Sequence, residues 1–135
     1  MGYKIDEIEG IGPAMSEKLA RAKIKNTNDL LKLCCDKKGR EATCAATGCS
    51  ESQLLKWTNM ADLMRITGVG QEFSELLEAA GVDTVKELRN RNAANLAVAM
   101  KETNNQKKLC RSVPSEKTVT KWVAQAKTLD PVITH

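Results

Sequence analysis

Apolar residues recur at helical intervals along most of the chain, and no segment alternates apolar with polar residues for long enough to predict a strand. Pro13, pre-set for a first helical position, predicts a helix over about 13–22 with Ala14, Met15, Leu19 and Ala22 as its apolar face. Asn26 or Thr27 can cap a helix through Leu30, Leu31 and Leu33, and another helix is predicted over about 37–46. Ser50 then opens a long helix through Leu54, Leu55, Trp57, Met60, Ala61 and Met64. Further helices are predicted near 71–80, 84–91, 93–104 and 115–128, with Gly81 ending the first of them, Thr84 and Ser115 as caps, and Pro131 stopping the last. The predicted fold class is all-α.

The pattern repeats. Ile8-Glu9-Gly10-Ile11-Gly12, followed by Leu19, Ile24 and Leu30, returns 58 residues later as Ile66-Thr67-Gly68-Val69-Gly70, followed by Leu77, Val82 and Leu88. Ile5 answers to Leu63 in the same register. A second block, Ser50-Glu51 with Lys56-Trp57 and Ala61, returns as Ser115-Glu116 with Lys121-Trp122 and Ala126 at a spacing of 65, which places about seven extra residues within 92–112. The chain is therefore read as an internal duplication: a first repeat over 1–64, a second over 62–130 that shares the long helix near 51–65, and a C-terminal tail over 131–135. The long helix runs almost straight into Gly68, so no flexible linker is expected between the halves.

Both Gly-aliphatic-Gly turns stand just before a helix. Glycine permits positive φ and close backbone approach, the aliphatic residue plugs the turn into the core, and the amides that open the helix carry partial positive charge suited to a phosphate. Ile5-x-x-Ile8-x-Gly10-Ile11-Gly12-Pro13, with Ser16 and Leu19 after it, resembles the helix-hairpin-helix motif of DNA repair and recombination proteins. The segments from Ile24 to Leu30 and from Gly81 to Leu88 are similar to the stretch just past that motif in the N-terminal domain of archaeal and eukaryotic recombinases and in the C-terminal domain of the bacterial RNA polymerase α subunit. Ala46-Thr47-Gly48-Cys49-Ser50-Glu51 is similar to the next, degenerate hairpin of the recombinase domain. As a whole the arrangement resembles an uncharacterised bacterial family, domain of unknown function 4332, built from tandem helix-hairpin-helix units.

The resemblance implies non-enzymatic, sequence-independent binding of a nucleic-acid backbone, duplex DNA above all, through Gly10, Ile11, Gly12, Ala14 and Lys18 in the first hairpin and Gly68, Val69 and Gly70 in the second. The alternative is a helical module that binds another protein and no nucleic acid. Several residues depart from the binding pattern. Nucleic-acid-binding copies often carry Lys or Arg two residues past the second glycine, where this chain has Ala14 and Glu72. Glu7 and Glu9 flank the first hairpin, while Glu72, Glu75 and Glu78 come after the second, and carboxylates repel phosphate. Lys18, Arg21, Lys23 and Lys25 make the first hairpin the better clamp. Lys107, Lys108 and Arg111, like Lys37, Lys38 and Arg40, are read as solvated helix faces, with added phosphate contacts as the alternative.

Charge adds little: the net +4 divides as 10 basic against 8 acidic residues in 1–60 and 11 against 9 in 61–135. Only 3% of residues are aromatic, so Leu, Ile, Val, Ala, Met and Cys must fill the core. Trp57 and Trp122, at matching places, are read as core residues rather than base-stacking platforms. Cys34, Cys35, Cys44 and Cys49 have no zinc or cluster spacing and are read as small buried hydrophobes, so no metal and no cofactor is expected. His135, the single histidine, is the last residue, which leaves no nucleophile-histidine pair, and no enzymatic activity is expected. The absence of a long apolar run predicts no membrane span, the N-terminus lacks a signal-peptide core, Gly2 lacks a myristoylation context, and the odd number of cysteines fits a reducing compartment, so a cytoplasmic location is expected.

Overall fold

A computed structural model describes residues 3–134, so the readings made above of Gly2 and His135 fall outside the described residues. A 3-10 turn at Ile5–Glu7 precedes eight helices: α1 Pro13–Arg21, α2 Thr27–Cys34, α3 Lys37–Thr47, α4 Glu51–Leu63, α5 Gln71–Ala79, α6 Val85–Leu88, α7 Ala93–Lys107 and α8 Glu116–Ala126. Among the described residues the β pairing is limited to an isolated antiparallel bridge between Lys4 and Asn26, and no helix is long and apolar enough to cross a membrane. The fold is all-α, as the periodicity indicates.

Two predicted boundaries move. Helix α6 stops at Leu88 instead of near 91: past it the amides of Asn90 and Arg91 donate only three residues back, to Glu87 and Leu88, and the Arg91 side chain donates to the Gly81 carbonyl at 2.9 Å. Helix α7 runs to Lys107 instead of 104 and ends on Lys108 in the left-handed region (φ +53). There the Asn104 side chain holds both the amide (2.8 Å) and the carbonyl (2.9 Å) of Cys110 and so ties down the segment that follows α7.

Helix α4 supplies both cores. Leu54, Trp57, Met60, Ala61 and Met64 pack with Ile5, Ile8, Ile11, Leu19, Ile24 and Leu30, while Leu63 packs with Ile66, Leu76, Leu77, Val82, Leu88 and Trp122. From Trp57 to Met64 every residue is buried, so polar groups on this stretch depend on partners inside the protein. Thr58 donates to the Leu54 carbonyl at 2.7 Å. Asp62 pairs with Arg65 at 2.7 Å and accepts the Val85 amide at 2.8 Å. Asn59 Oδ1 is the exception, with no hydrogen-bond partner among the described residues.

The amides that open α2 and α6 find different kinds of acceptor. Thr27, 58 residues before Val85, donates its amide to the Tyr3 carbonyl at 2.9 Å. Tyr3 lies outside any helix and supplies a main-chain acceptor to α2, whereas the Asp62 side chain of α4 supplies the acceptor to α6.

The C-terminal tail does not stay with the second half. Ile133 is buried in the first core, the Thr134 amide donates to the Cys35 carbonyl at 2.7 Å, and Arg40 donates to the carbonyls of Cys34 (3.0 Å) and Thr134 (2.8 Å). Arg89 and Arg65 hold the carbonyls of Leu129 and Asp130. Arg40 thus corrects the reading of Lys37, Lys38 and Arg40 as a solvated face: it is 4% exposed, and its charge faces main-chain oxygens.

Asp62→Ala is expected to destabilise the protein by about 2 kcal/mol, because it leaves the buried Val85 amide without an acceptor and Arg65 with the Asp130 carbonyl alone. Urea unfolding monitored by circular dichroism measures the loss.

Candidate functional site

The two Gly-aliphatic-Gly turns have matching local geometry. Gly10 and Gly68 take φ +95 and +89. The amides of Ile11 and Val69 each donate to a carbonyl three residues back, Ile8 and Ile66, at 3.1 Å, and those of Ser16 and Ser74 donate to Gly12 and Gly70 at 2.9 Å. Each turn rests on a tryptophan: a Cβ at Gly10 would meet Trp57 Nε1 at 3.2 Å, and one at Gly68 would meet Trp122 Nε1 at 3.5 Å. With the two residues 4% and 2% exposed, these indoles act as floors of the turns and are not open to a base.

The two glycines of each turn do different jobs. Gly10 and Gly68 are needed by the backbone, which is left-handed there. Gly12 and Gly70 have φ −85 and −106, and a Cβ at either would meet nothing within 4 Å. The fold therefore tolerates a side chain at Gly12 and Gly70.

Capping separates these turns from the rest of the molecule. Asn26, Asp36, Ser50, Thr84, Asn92 and Ser115 each accept an amide that opens α2, α3, α4, α6, α7 and α8. The helices just past the glycine turns, α1 and α5, have no side-chain cap. With Pro13 at the first position of α1, its unsatisfied amides begin at Ala14, which is exposed beside Gly12.

Electrostatics then distinguish the two ends. The first turn of α1 holds no acidic residue, and Glu7 is turned back onto the Lys4 amide at 2.8 Å. Glu9, expected to burden the first turn, instead reaches the second, where Gln71 Nε2 donates to it at 2.5 Å. Tyr3 crosses alongside, its hydroxyl donating to the Val69 carbonyl at 3.5 Å. Glu9, Gln71, Glu72 and Glu75 line a cleft of about 310 Å³ with Lys108 and Leu109. Burial, and after it the nearby Glu9, push the Glu75 carboxyl above its ordinary value. The α5 end is thus faced by the protein's own carboxylates.

Among the residues expected at the site, the structure brings Gly10, Ile11, Gly12 and Ala14 together at the mouth of α1, with Ile11 buried as the plug. Gly68, Val69 and Gly70 form the same turn at α5, with Val69 buried and Glu9 and Glu72 close by. Lys18 is exposed and lies farther along α1, lining a groove of about 290 Å³ with Arg21, Ala22, Ala46 and Thr47. Of the four cysteines read as buried, Cys34 and Cys49 are, but Cys35 and Cys44 are partly exposed because each sits at the rim of a helix end; Cys110 is buried as well. Among the described residues no group of three or more His, Cys, Asp or Glu is arranged to hold a metal ion. Tyr3 and Gln71 are absent from the sequence reading, since contacts 66 and 62 residues apart leave no local signal.

Fold and site together define an all-helical protein with one open and one internally faced glycine turn. The chain belongs to the family described as Domain of unknown function (DUF4332), whose model matches residues 9–129. No curated protein and no solved structure matches the chain.

Gly10→Ala should cost about 1–2 kcal/mol, from the left-handed backbone and the Trp57 contact, whereas Gly12→Ala should cost about 0.5 kcal/mol, the modest N-cap preference for glycine. Paired urea titrations compare them. Glu75→Gln should stabilise the protein by about 0.5 kcal/mol or less above the raised pKa of Glu75, where the wild-type carboxylate is ionised among Glu9 and Glu78. A carboxyl whose pKa rises on folding is penalised once ionised, so the gain fades as pH falls and vanishes below the ordinary value of 4.5. Melting temperatures from about pH 3.5 to 8 test that sign.

Proposed function

We propose that this protein is a non-enzymatic binder of the nucleic-acid backbone, duplex DNA in the first instance, that seats a phosphate on the open N-terminus of α1. We further propose that its two halves are copies of one helix-hairpin-helix unit, a reading supported by the matching bonds, φ angles and tryptophan floors of the two turns.

The observation that carries the function is the capping pattern. A side-chain cap is worth about 1 kcal/mol, and six helices have one. Helix α1 forgoes it at Gly12, a position where the fold has room for a capping side chain. An empty, acid-free helix end next to a glycine is a receptor for an outside anion. Lys18 and Arg21 add positive charge farther along α1, although Arg21 is partly engaged by Glu17 at 2.7 Å.

A second reading is favoured at α5 only. The cleft of Glu9, Glu72 and Glu75, three carboxylates against the one cation Lys108, disfavours phosphate and suits a basic segment of another protein.

Fluorescence anisotropy on labelled DNA tests the proposal. Binding should be micromolar or weaker at physiological salt, indifferent to sequence, and should fall by about one logarithmic unit per phosphate contact for each tenfold rise in salt. Gly12→Val should weaken it about tenfold or more by covering the amides, with Gly70→Val mattering less. Gly12→Asp should cap α1, raising stability by a few tenths of a kcal/mol, while abolishing binding. No binding to duplex or single-stranded DNA or RNA at low salt sinks the proposal.

A further inference from the structure

Of the five thiols, all among the described residues, Cys34, Cys35 and Cys110 each contact an oxygen: Thr43 Oγ1 at 3.4 Å, the Lys32 carbonyl at 3.8 Å and the Glu72 carbonyl at 3.4 Å. Cys44 and Cys49 differ, because their sulfurs touch each other at 3.7 Å. They bracket the end of α3: Cys44 lies in its last turn, its carbonyl accepting the Gly48 amide at 2.8 Å, and Cys49 stands in the short link to the Ser50 cap of α4. Cys44 is partly exposed and Cys49 is buried, with Thr47 Oγ1 at 3.1 Å from its sulfur.

We infer that Cys44 and Cys49 form a redox modification site, a dithiol that closes reversibly to an intramolecular disulfide when a low-molecular-weight disulfide supplies the oxidising equivalents. Closure requires the sulfurs to approach by roughly 1.7 Å, to the 2.05 Å or so of the bond. The intervening link can yield: Gly48 is in the left-handed region (φ +79), with nothing within 4 Å of where its Cβ would stand.

The chemistry balances as two exchanges. The Cys44 thiolate attacks one sulfur of the external disulfide, forming a mixed disulfide and releasing one thiolate. The Cys49 thiolate then attacks the Cys44 sulfur, closing the internal bond and releasing the second. The protein loses two protons and two electrons, and the external disulfide becomes two thiols.

Exposure selects Cys44 as the first to react and Cys49 as the resolving sulfur. Burial, then the Cys49 hydrogen bond and the charges of Cys49, Glu51 and Cys34, push the Cys44 thiol up to about 12. Closure is therefore slow at neutral pH and should accelerate about tenfold per pH unit from 7 to 10, as the reactive thiolate becomes more abundant. Because Ala46 and Thr47 form one wall of the groove that carries Lys18 and Arg21, the bond would fix that wall in place.

The test incubates the full chain, as Cys35→Ser to prevent intermolecular pairing, with oxidised glutathione at about pH 7, 8, 9 and 10, and then alkylates it for peptide mass mapping. Expected are a cross-linked Cys44–Cys49 peptide, loss of two thiols that reductant restores, the stated pH slope, no cross-link and no loss at this pair in Cys44→Ser, and in Cys49→Ala no cross-link but a glutathione adduct trapped on Cys44. Retention of both thiols at the highest pH, stable glutathione adducts on Cys44 alone while Cys49 is present, or a cross-link from Cys34 instead would overturn the inference. The two substitutions serve separately, since Cys44 is at the rim and its change leaves the core intact.

Discussion

Everything in this molecule is arranged around a helix whose C-terminal half is buried on every side. From Trp57 to Met64, α4 and its cap have no residue facing water, so the helix cannot be stabilised as an amphipathic surface element and must be wrapped by both halves. The same burial dictates the polar chemistry of the seam. Asp62 could not lie there as an isolated charge, and its two partners, the Arg65 guanidinium and the Val85 amide, are what make it admissible. Through that amide, α4 fixes the start of α6, and through the turn after Leu63 it positions Gly68.

A consequence is that the two glycine turns are neighbours rather than independent modules. The contacts from Glu9 to Gln71 and from Tyr3 to Val69 run directly between them. Backbone geometry alone would make both helix ends equally good anion receptors, since each presents uncapped amides with the same partial charge. Side chains break that equivalence. Glu9 leaves the turn it belongs to and faces α5, where it joins Glu72 and Glu75, and its departure leaves the α1 end clear.

Elements with a local cause were legible in the sequence. Proline at a first helical position, Asn26, Ser50, Thr84 and Ser115 at N-caps, and the 58-residue echo of Gly-aliphatic-Gly each act within a few residues, and the helices start where they indicate. What escaped depends on distant packing. The hydroxyl of Tyr3, the burial of Arg40 under the returning tail and the seat of Ile133 in the opposite half are set by contacts that no periodicity encodes. Arg40 is the instructive case: beside Lys37 and Lys38 it looks like one more solvated cation, and only the carbonyls of Cys34 and Thr134 distinguish it. At the site, the glycines were visible as a pair, but their division into one required by the backbone and one with open space above it needs φ and the surrounding atoms.

The asymmetry of the turns bears on what kind of ligand the proposed interface could hold. A pair of open turns would grip two backbones at once and favour a duplex of defined width. One open turn would grip one backbone under this proposal, and its amides would read no base edge, so nothing in it would select sequence. Discrimination between duplex and single strand would then fall to the residues around the α1 mouth. These are few and mostly small: Ala14 is exposed there, and the cationic Lys18 and Arg21 belong to a groove farther along the helix. A phosphate on the amides and a second on Lys18 would have to lie on one strand that passes along α1, which places the demand on the curvature of that strand rather than on the identity of its bases.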